Sequence, residues 1–400
     1  MNIDAQAANP GAPTASAWAA VFSMSLGVFG LVGAEFLPAS LLTPIAADLG
    51  ISEGMAGQAV TATAVMGVFA SLTVASFTRS IDRRVVLLAF TLLLILSNFV
   101  VAAAQSFPVI LLGRVLLGIA LGGFWALSTA LVMRLVLEAD VPKALSIVIA
   151  GVSAATVFAA PLGSYVGDVL GWRAVFFGAG ALGIITFVVQ FLALPSLPSL
   201  GHANMGTIFR VVARPHVALG MIAVLLAFGG HMSMFIYVRP YLENVTSVGV
   251  TGITFALLAF GLANFAGNYL GGVLVARSLR ATLAMMPLLI AAMAFLLVSI
   301  GQSYVATVVL IVIWGMAFGA IPVAWSTWIS RAIADEAESG GGLLVASISF
   351  AIAAGAAIGG VILDLVGIQS VFIVNGIVLV LAAIVVATGV GASRTAPAPV

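Results

Sequence analysis

The chain has no cysteine among its 400 residues. That excludes disulfides, cysteine-based metal sites and thiol catalysis together. Charge is almost as scarce: Asp, Glu, Lys and Arg make up 7% of the residues, against roughly a quarter in an ordinary soluble domain. There is no glycine-rich phosphate loop, metal-ligand cluster or nucleophile constellation. The GGG at 340–342 opens a helical run without the lysine of a nucleotide-binding loop. ATP-driven pumping and hydrolysis are thereby disfavoured. No enzymatic activity, cofactor or metal is expected.

What the chain has instead is apolar length. Hydrophobic residues make up 63% of it, and a membrane span needs about 20 of them in succession. Charged and Pro/Gly clusters divide the chain into twelve such runs, at 17–42, 53–77, 85–104, 108–134, 144–168, 174–194, 217–242, 251–276, 281–300, 304–330, 341–364 and 370–391. The expected fold is an all-α membrane protein of twelve transmembrane helices, solvated by the lipid bilayer. Nothing is left over for a water-soluble domain.

The net charge of +1 hides an asymmetry. Arg79, Arg83, Arg84, Arg134, Lys143, Arg210, Arg214, Arg277, Arg280, Arg331 and Arg394 lie in or beside the even-numbered loops or in the C-terminal tail. The odd-numbered loops hold Arg173 and Arg239 alone. Basic loops stay on the cytoplasmic side, so both termini are expected there. Residues 1–16 carry no Lys or Arg and the first run is too long for a signal segment, so no cleaved signal is expected. Basic loops of this kind set topology and attract lipid headgroups. They do not make a nucleic-acid surface.

An internal repeat organises the runs. GSYVGDVLGWRAVF at 163–176 aligns without gaps to GGVILDLVGIQSVF at 359–372, pairing Gly163, Asp168, Gly171, Val175 and Phe176 with Gly359, Asp364, Gly367, Val371 and Phe372. The offset of 196 also takes Pro44 to Pro240 and Arg84 to Arg280, and one residue more takes Gly122 to Gly319 and Arg134 to Arg331. An even number of spans restores the original direction, so two six-helix halves of the same orientation are expected. In such parallel-repeat transporters the substrate lies between the halves near the midplane. The expected division is a tail at 1–16, a first bundle at 17–194, a Pro/Gly-rich cytoplasmic linker at 195–216, a second bundle at 217–391 and a tail at 392–400.

Position within a run gives depth, at 1.5 Å per residue. Glu35 lies a few residues outward of the midplane of the first helix and is the only acidic residue well inside an apolar run. A carboxylate there costs at least ~2.5 kcal/mol on insertion scales, which makes it a functional candidate by default. Arg114, in VILLGRVLLGIALGG, reaches a comparable depth in the fourth helix. Each charge alone is costly, so the two are expected to pair directly or through water. The pair is either a permanent structural tie between helices 1 and 4 or a proton switch in which Arg114 sets the affinity of Glu35. His231, in FGGHMSMF, is the repeat counterpart of Glu35. It is a helix-bridging hydrogen-bond group, a substrate contact or a second titrating group.

Candidates for substrate contact are Trp125, Asn264, Asn268 and Trp325 near mid-depth, with Phe36 and Gln58 at the outer depth of Glu35 and Arg114; each could equally pack or bridge helices. Trp328 suits an interfacial anchor. Pro161, inside the fifth helix, removes a backbone hydrogen bond and makes either a functional bend or a static kink. Glycines at helix spacing, such as Gly118 and Gly122, imply close helix approach.

These residues resemble the drug:H⁺ antiporter branch of the major facilitator superfamily. SIDRRVVLL, with Arg83 and Arg84, resembles its helix 2–3 loop motif, although Ala75 stands near the usual glycine and Arg79 at the usual acidic position. Arg114 with Gly118 and Gly122 resembles the helix 4 arginine motif tied to proton coupling. Ala160-Pro161-Leu162-Gly163 is similar to the helix 5 antiporter motif, with Ala before the proline. EFLPASLLTPIAADLGISEGMAGQAVT, IALGGFWALS, VPKALSI, GWRAVF, LPSLP and PVAWSTWISRAIADEAE resemble bacterial purine ribonucleoside exporters across almost the whole chain. The resemblance implies a monomeric antiporter of the bacterial inner membrane that exports inosine- and guanosine-type nucleosides in exchange for protons. A sugar or multidrug exporter of the same branch is the alternative. A passive channel and a non-transporting receptor are the rivals outside it.

Overall fold

The computed structural model describes residues 16–198, 214–333 and 337–389. The expected tails at 1–16 and 392–400 and linker at 195–216 therefore lie wholly or mostly outside the described residues. In hydrocarbon every backbone N–H and C=O must be satisfied within the chain, so apolar runs of this length form helices. They are α1 Trp18–Leu49, α2 Glu53–Phe77, α3 Arg83–Ala102, α4 Phe107–Leu135, α5 Val141–Leu170, α6 Trp172–Ala193, α7 Pro215–Ile236, α8 Val238–Asn244, α9 Val250–Ile300, α10 Tyr304–Ala332, α11 Ala337–Val366 and α12 Ile368–Gly389.

Among the described residues eleven helices are long and apolar enough to cross a membrane. One of them, α9, has 51 residues, or about 77 Å, more than twice the ~30 Å hydrocarbon core. Ser278 interrupts it with φ −162° and ψ 103°, between Arg277 and Arg280. α9 is therefore two spans, 250–277 and 279–300, and the eleven helices make twelve spans. The seventh run, expected as one helix, is also interrupted. α7 stops at Ile236, Tyr237 is non-helical, and the short α8 follows. Pro240 explains the break: it offers no N–H to the Ile236 carbonyl, and its ring crowds that oxygen.

The repeat reappears as paired contacts. Gly171 and Gly367, 196 apart, turn the chain between the last two spans of each half with φ of 83° and 98°, a region where side chains are strained. Arg84 donates to the Phe191 carbonyl and Arg280 to the Ala387 carbonyl, both across 107 residues. A Cβ on Gly118 or Gly122 would strike the α2 backbone at Thr63 or Gly67. A Cβ on Gly315 or Gly319 would strike α9 at Phe260 or Asn264. The same glycine-faced helix pair is thus built twice.

Alternation of the spans gathers Arg83, Arg84, Arg134, Lys143, Arg277, Arg280 and Arg331 at one end of the bundle, the basic face. The two halves pack α2 against α11 and α5 against α9, where a Cβ on Gly261 would meet the α5 backbone at Thr156 and Val157, and they share a core at the opposite face. There Leu41, Leu42 and Ile45 of α1 and Ala56 of α2 share one core with Tyr237, Tyr241 and Leu242. Nearer the basic face the first half keeps a core of its own, including Ala20, Met24, Leu87 and Leu131.

A polar seal completes the joint. Arg239 of α8 is buried and donates to the Ser40 carbonyl of α1 and, at 2.8 Å, to Glu243. Thr43 Oγ1 lies 2.5 Å from Glu243 and 3.0 Å from Glu53. Asp364 of α11 accepts from Ser52 Oγ at 2.6 Å and from the Gly54 N–H at 3.1 Å, placing a carboxylate at the start of α2. The hydroxyl of Tyr237 donates to the Ala356 carbonyl at 2.8 Å between them. Arg173, the other basic residue at this face, is paired with Asp48 at 2.7 Å. Both exceptions to the charge asymmetry are therefore neutralised locally.

Arg83 and Arg84, conformational candidates through the resemblance of their loop, bond within the first half. Arg83 donates to Thr78 at 3.1 and 2.7 Å, and Arg84 lies 5.1 Å over the Phe191 ring. Short reach to their own half explains this: each guanidinium satisfies the free carbonyls at a helix end beside it.

Two outcomes are expected. Gly319→Leu should lower the apparent melting temperature of the purified protein by several degrees, the overpacking costing ~1–3 kcal/mol, while Gly272→Ala, which meets nothing within 4 Å, should leave it unchanged. Because the chain lacks cysteine, a single Gln58→Cys reports on the seal. Adding Arg239→Ala should raise its labelling by a membrane-impermeant maleimide from the opposite face severalfold; equal labelling would show that Arg239 does not hold the halves together.

Candidate functional site

Between the halves lies a cavity of ≈560 Å³, within the range of small-molecule sites. Its inner end is walled by Phe36 of α1, His231 and Phe235 of α7, and Phe260 of α9. Its outer end is lined by Ile149 of α5 and by Ser326 and Ser330 of α10, all exposed. Ile149 lies in the first turns of α5 and Ser330 in the last turn of α10, so the cavity opens to the basic face. Below Phe36, which meets Phe235 edge-on at 5.7 Å, the seal closes the other side.

The lining is polar without being charged. His231, Asn264, Asn268, Ser326, Thr327 and Ser330 come from the second half, Ser153 and Thr156 from the first, and no Asp, Glu, Lys or Arg takes part. Asn264 Nδ2 is 3.4 Å from the Gly315 carbonyl, a long contact. The half-buried Asn268 makes no side-chain hydrogen bond among the described residues. His231 is 1% exposed and accepts at Nδ1 from the Trp314 indole at 2.9 Å. Its ring lies parallel to Phe318, with centroids 3.3 Å apart.

Four expected contact residues thus reach one cavity: Phe36, His231, Asn264 and Asn268. Three do not. Gln58 sits in the seam between the halves, its Nε2 3.4 Å from the carbonyls of Gly54 and Ala357. Trp125 packs edge-on to Phe124 at 5.9 Å against the first-half core. Trp325 is 1% exposed and packs edge-on to Trp328, its indole N–H without a partner. Trp328, expected at an interface, is itself buried over Gly220. Trp125 and Trp325 leave their helices away from the cavity, whereas Gln58 faces the other half but lies beyond the cavity, in the closed seam.

Glu35 and Arg114 form no direct ion pair within 4.0 Å. Arg114 is 1% exposed; its Nη1 donates to the Ala34 carbonyl at 2.8 Å, and its guanidinium lies 4.9 Å over the Phe176 ring. Its Nε and Nη2 have no hydrogen-bond partner. Glu35, half-buried and next along α1, makes no hydrogen bond among the described residues. The arginine is thus held at the residue preceding the carboxylate, with two donors to spare.

Pro161 is buried within α5, which continues through it. Gly163 faces Ser40 and Leu37 of α1, where a Cβ would lie 2.6 Å from Ser40 Oγ. This stretch of α5 also borders a 260 Å³ crevice with α1 and α6, lined by Phe29, Phe158, Leu162 and Val166 and almost wholly apolar. Sequence reading passed over the seal residues Thr43, Glu53, Arg239, Glu243 and Asp364. The signal available was that Arg239 breaks the charge asymmetry and that Asp364 belongs to the repeat.

The chain is 46% identical over 369 residues to the purine ribonucleoside efflux pump NepI of Escherichia coli (strain K12), covering 92% of this chain and 93% of that one. The same figures hold for the protein of that name from Shigella flexneri. In fold it is similar to a crystal structure of a bacterial homologue of the human lysosomal transporter Spinster in an inward-facing, unoccupied conformation. The TM-score is 0.70 at 16% identity, over 93% of this chain and 95% of that one. A family model described as Major Facilitator Superfamily matches residues 22–344. With twelve spans in two repeated halves around a central cavity, the chain belongs to the major facilitator superfamily.

Proposed function

We propose that this multi-pass transporter exports purine ribonucleosides across the bacterial inner membrane in exchange for protons, with its basic face in the cytoplasm. The observation that carries the substrate is the uncharged cavity. Aromatic walls at Phe36, Phe235, Phe260 and Phe318 suit a flat base, and His231, Asn268, Ser326 and Ser153 suit base edges and hydroxyls. A nucleoside is neutral and has both. A nucleotide would bring phosphate charge with no cation to meet it, and a cationic drug would find no carboxylate. The 46% identity to proteins named for purine ribonucleoside efflux supports the same reading.

Protons are assigned to Glu35. It is the one carboxyl well inside an apolar run, and the spare donors of Arg114 stand beside it. A water between them would complete the pair when Glu35 is ionised. A proton on Glu35 would release that tie, coupling its occupancy to the position of α1 relative to α4. The seal at the opposite face and the opening at the basic face describe one state of an alternating-access cycle.

Counterflow of tritiated inosine in proteoliposomes tests the substrate. Exchange with inosine and guanosine, and weak competition by nucleotides and cationic dyes, are expected; no exchange with any purine nucleoside would refute it. Asn268→Leu should weaken inosine binding about tenfold, the scale of one lost hydrogen bond with its partner left unpaired. Glu35→Gln should retain nucleoside counterflow but lose accumulation driven by an imposed pH gradient. Gradient-driven accumulation surviving in that variant would remove Glu35 from coupling.

A further inference from the structure

The imidazole of His231 is held in one protonation form by a neighbour outside the cavity lining. Its Nδ1 accepts from Trp314 Nε1 at 2.9 Å. An indole N–H can only donate, so the Nδ1 lone pair must be free to receive it. A neutral imidazole then carries its proton on Nε2, and a second proton on Nδ1 would set two N–H groups against each other. Trp314 cannot turn aside. It is fully buried, edge-on to Phe260 at 5.4 Å and to Phe372 at 6.3 Å.

The surroundings of the ring add no countercharge. Phe318, Phe235 and Phe260 lie nearly parallel to it at centroid distances of 3.3, 5.9 and 6.2 Å. None of these titrates, and no charged side chain lines the cavity. Nε2 has no protein partner among the described residues, although the side chain is 99% buried. A buried donor left unmet costs free energy unless a ligand or water accepts from it.

We infer that Trp314 is a positioning residue that fixes His231 as a neutral Nε2–H donor at the inner end of the cavity, and that the transported molecule must present a hydrogen-bond acceptor there. This rests on the nucleoside reading only for the identity of the acceptor. It also separates the two repeat-related positions. Glu35 can exchange a proton, whereas His231 is kept from doing so and serves recognition.

Two measurements on the full-length protein test this. The chain has three histidines, so ¹⁵N-histidine labelling resolves the His231 ring nitrogens. Wild-type protein should show protonated Nε2 and unprotonated Nδ1 from about pH 5.5 to 8, while Trp314→Phe, which removes the indole donor and leaves the ring buried, should show a mixture of Nδ1–H and Nε2–H forms. A wild-type His231 that titrates in that range, or carries its proton on Nδ1, overturns the inference. In the second measurement, inosine binding is compared with analogues each lacking one acceptor, such as 7-deazainosine, 3-deazainosine and the deoxyribosides. One analogue should bind wild type about tenfold more weakly than inosine and bind His231→Phe as well as inosine does. A deficit that persists for every analogue in His231→Phe removes His231 as the donor. Failure of wild type to bind inosine at all would count against the nucleoside reading, and the ring spectra would still decide the role of Trp314.

Discussion

The buried guanidinium of Arg239 ties the two halves together at one face. Taken out of water, it must be met by protein, and it is met by a carbonyl of α1 and a carboxylate of its own helix. That requirement draws Ser40, Thr43, Glu53 and Glu243 to one place, with Asp364 docked on the start of α2 beside them. The two halves share one core there, while nearer the basic face the first half keeps a separate one. With the halves joined at one face and separate at the other, a cavity between them has to open toward the basic loops. Polar groups make the seal, and most of each half is apolar packing.

Each half is held internally by contacts of another kind, the same in both. Glycine faces on α4 and α10 let the backbones of α2 and α9 approach closely, which gains dispersion contacts that lipid tails cannot supply. Arg84 and Arg280 tie the third span of each half to its sixth at equivalent carbonyls. These repeated devices lie inside the halves and are symmetric. The functional groups are not symmetric: Glu35 and His231 occupy related positions with unlike chemistry, and Asp364 caps a helix of the other half while its counterpart Asp168 is exposed. The shared devices are symmetric, and the groups proposed for coupling and recognition depart from that symmetry.

Much of this was legible beforehand. The twelve spans follow from run length and the absence of charge, and the repeat from shared Gly, Asp, Pro and Arg positions. Phe36, His231, Asn264 and Asn268 were placed at the right depth and do line the cavity. Trp125 and Trp325 lie at a reasonable depth and do not, and Gln58 faces the other half from within the seal. Spacing along a helix measures height along its axis well, since the rise per residue is constant. The direction in which a side chain leaves that axis matters only relative to neighbours, and a helix apolar on every side carries no moment to reveal it.

Residue order alone implies a chain that spans a membrane twelve times, in two related halves, with one carboxyl and one imidazole inside them. Composition and periodicity suffice for this, because lipid allows few alternatives to the helix. Three features come from packing instead: Arg114 rests on a backbone carbonyl rather than on Glu35, Trp314 rather than Trp325 meets the polar site, and the seal lies at the face away from the basic loops. Those outcomes depend on the rotation of each helix about its own axis, which is set by packing between segments far apart in the chain.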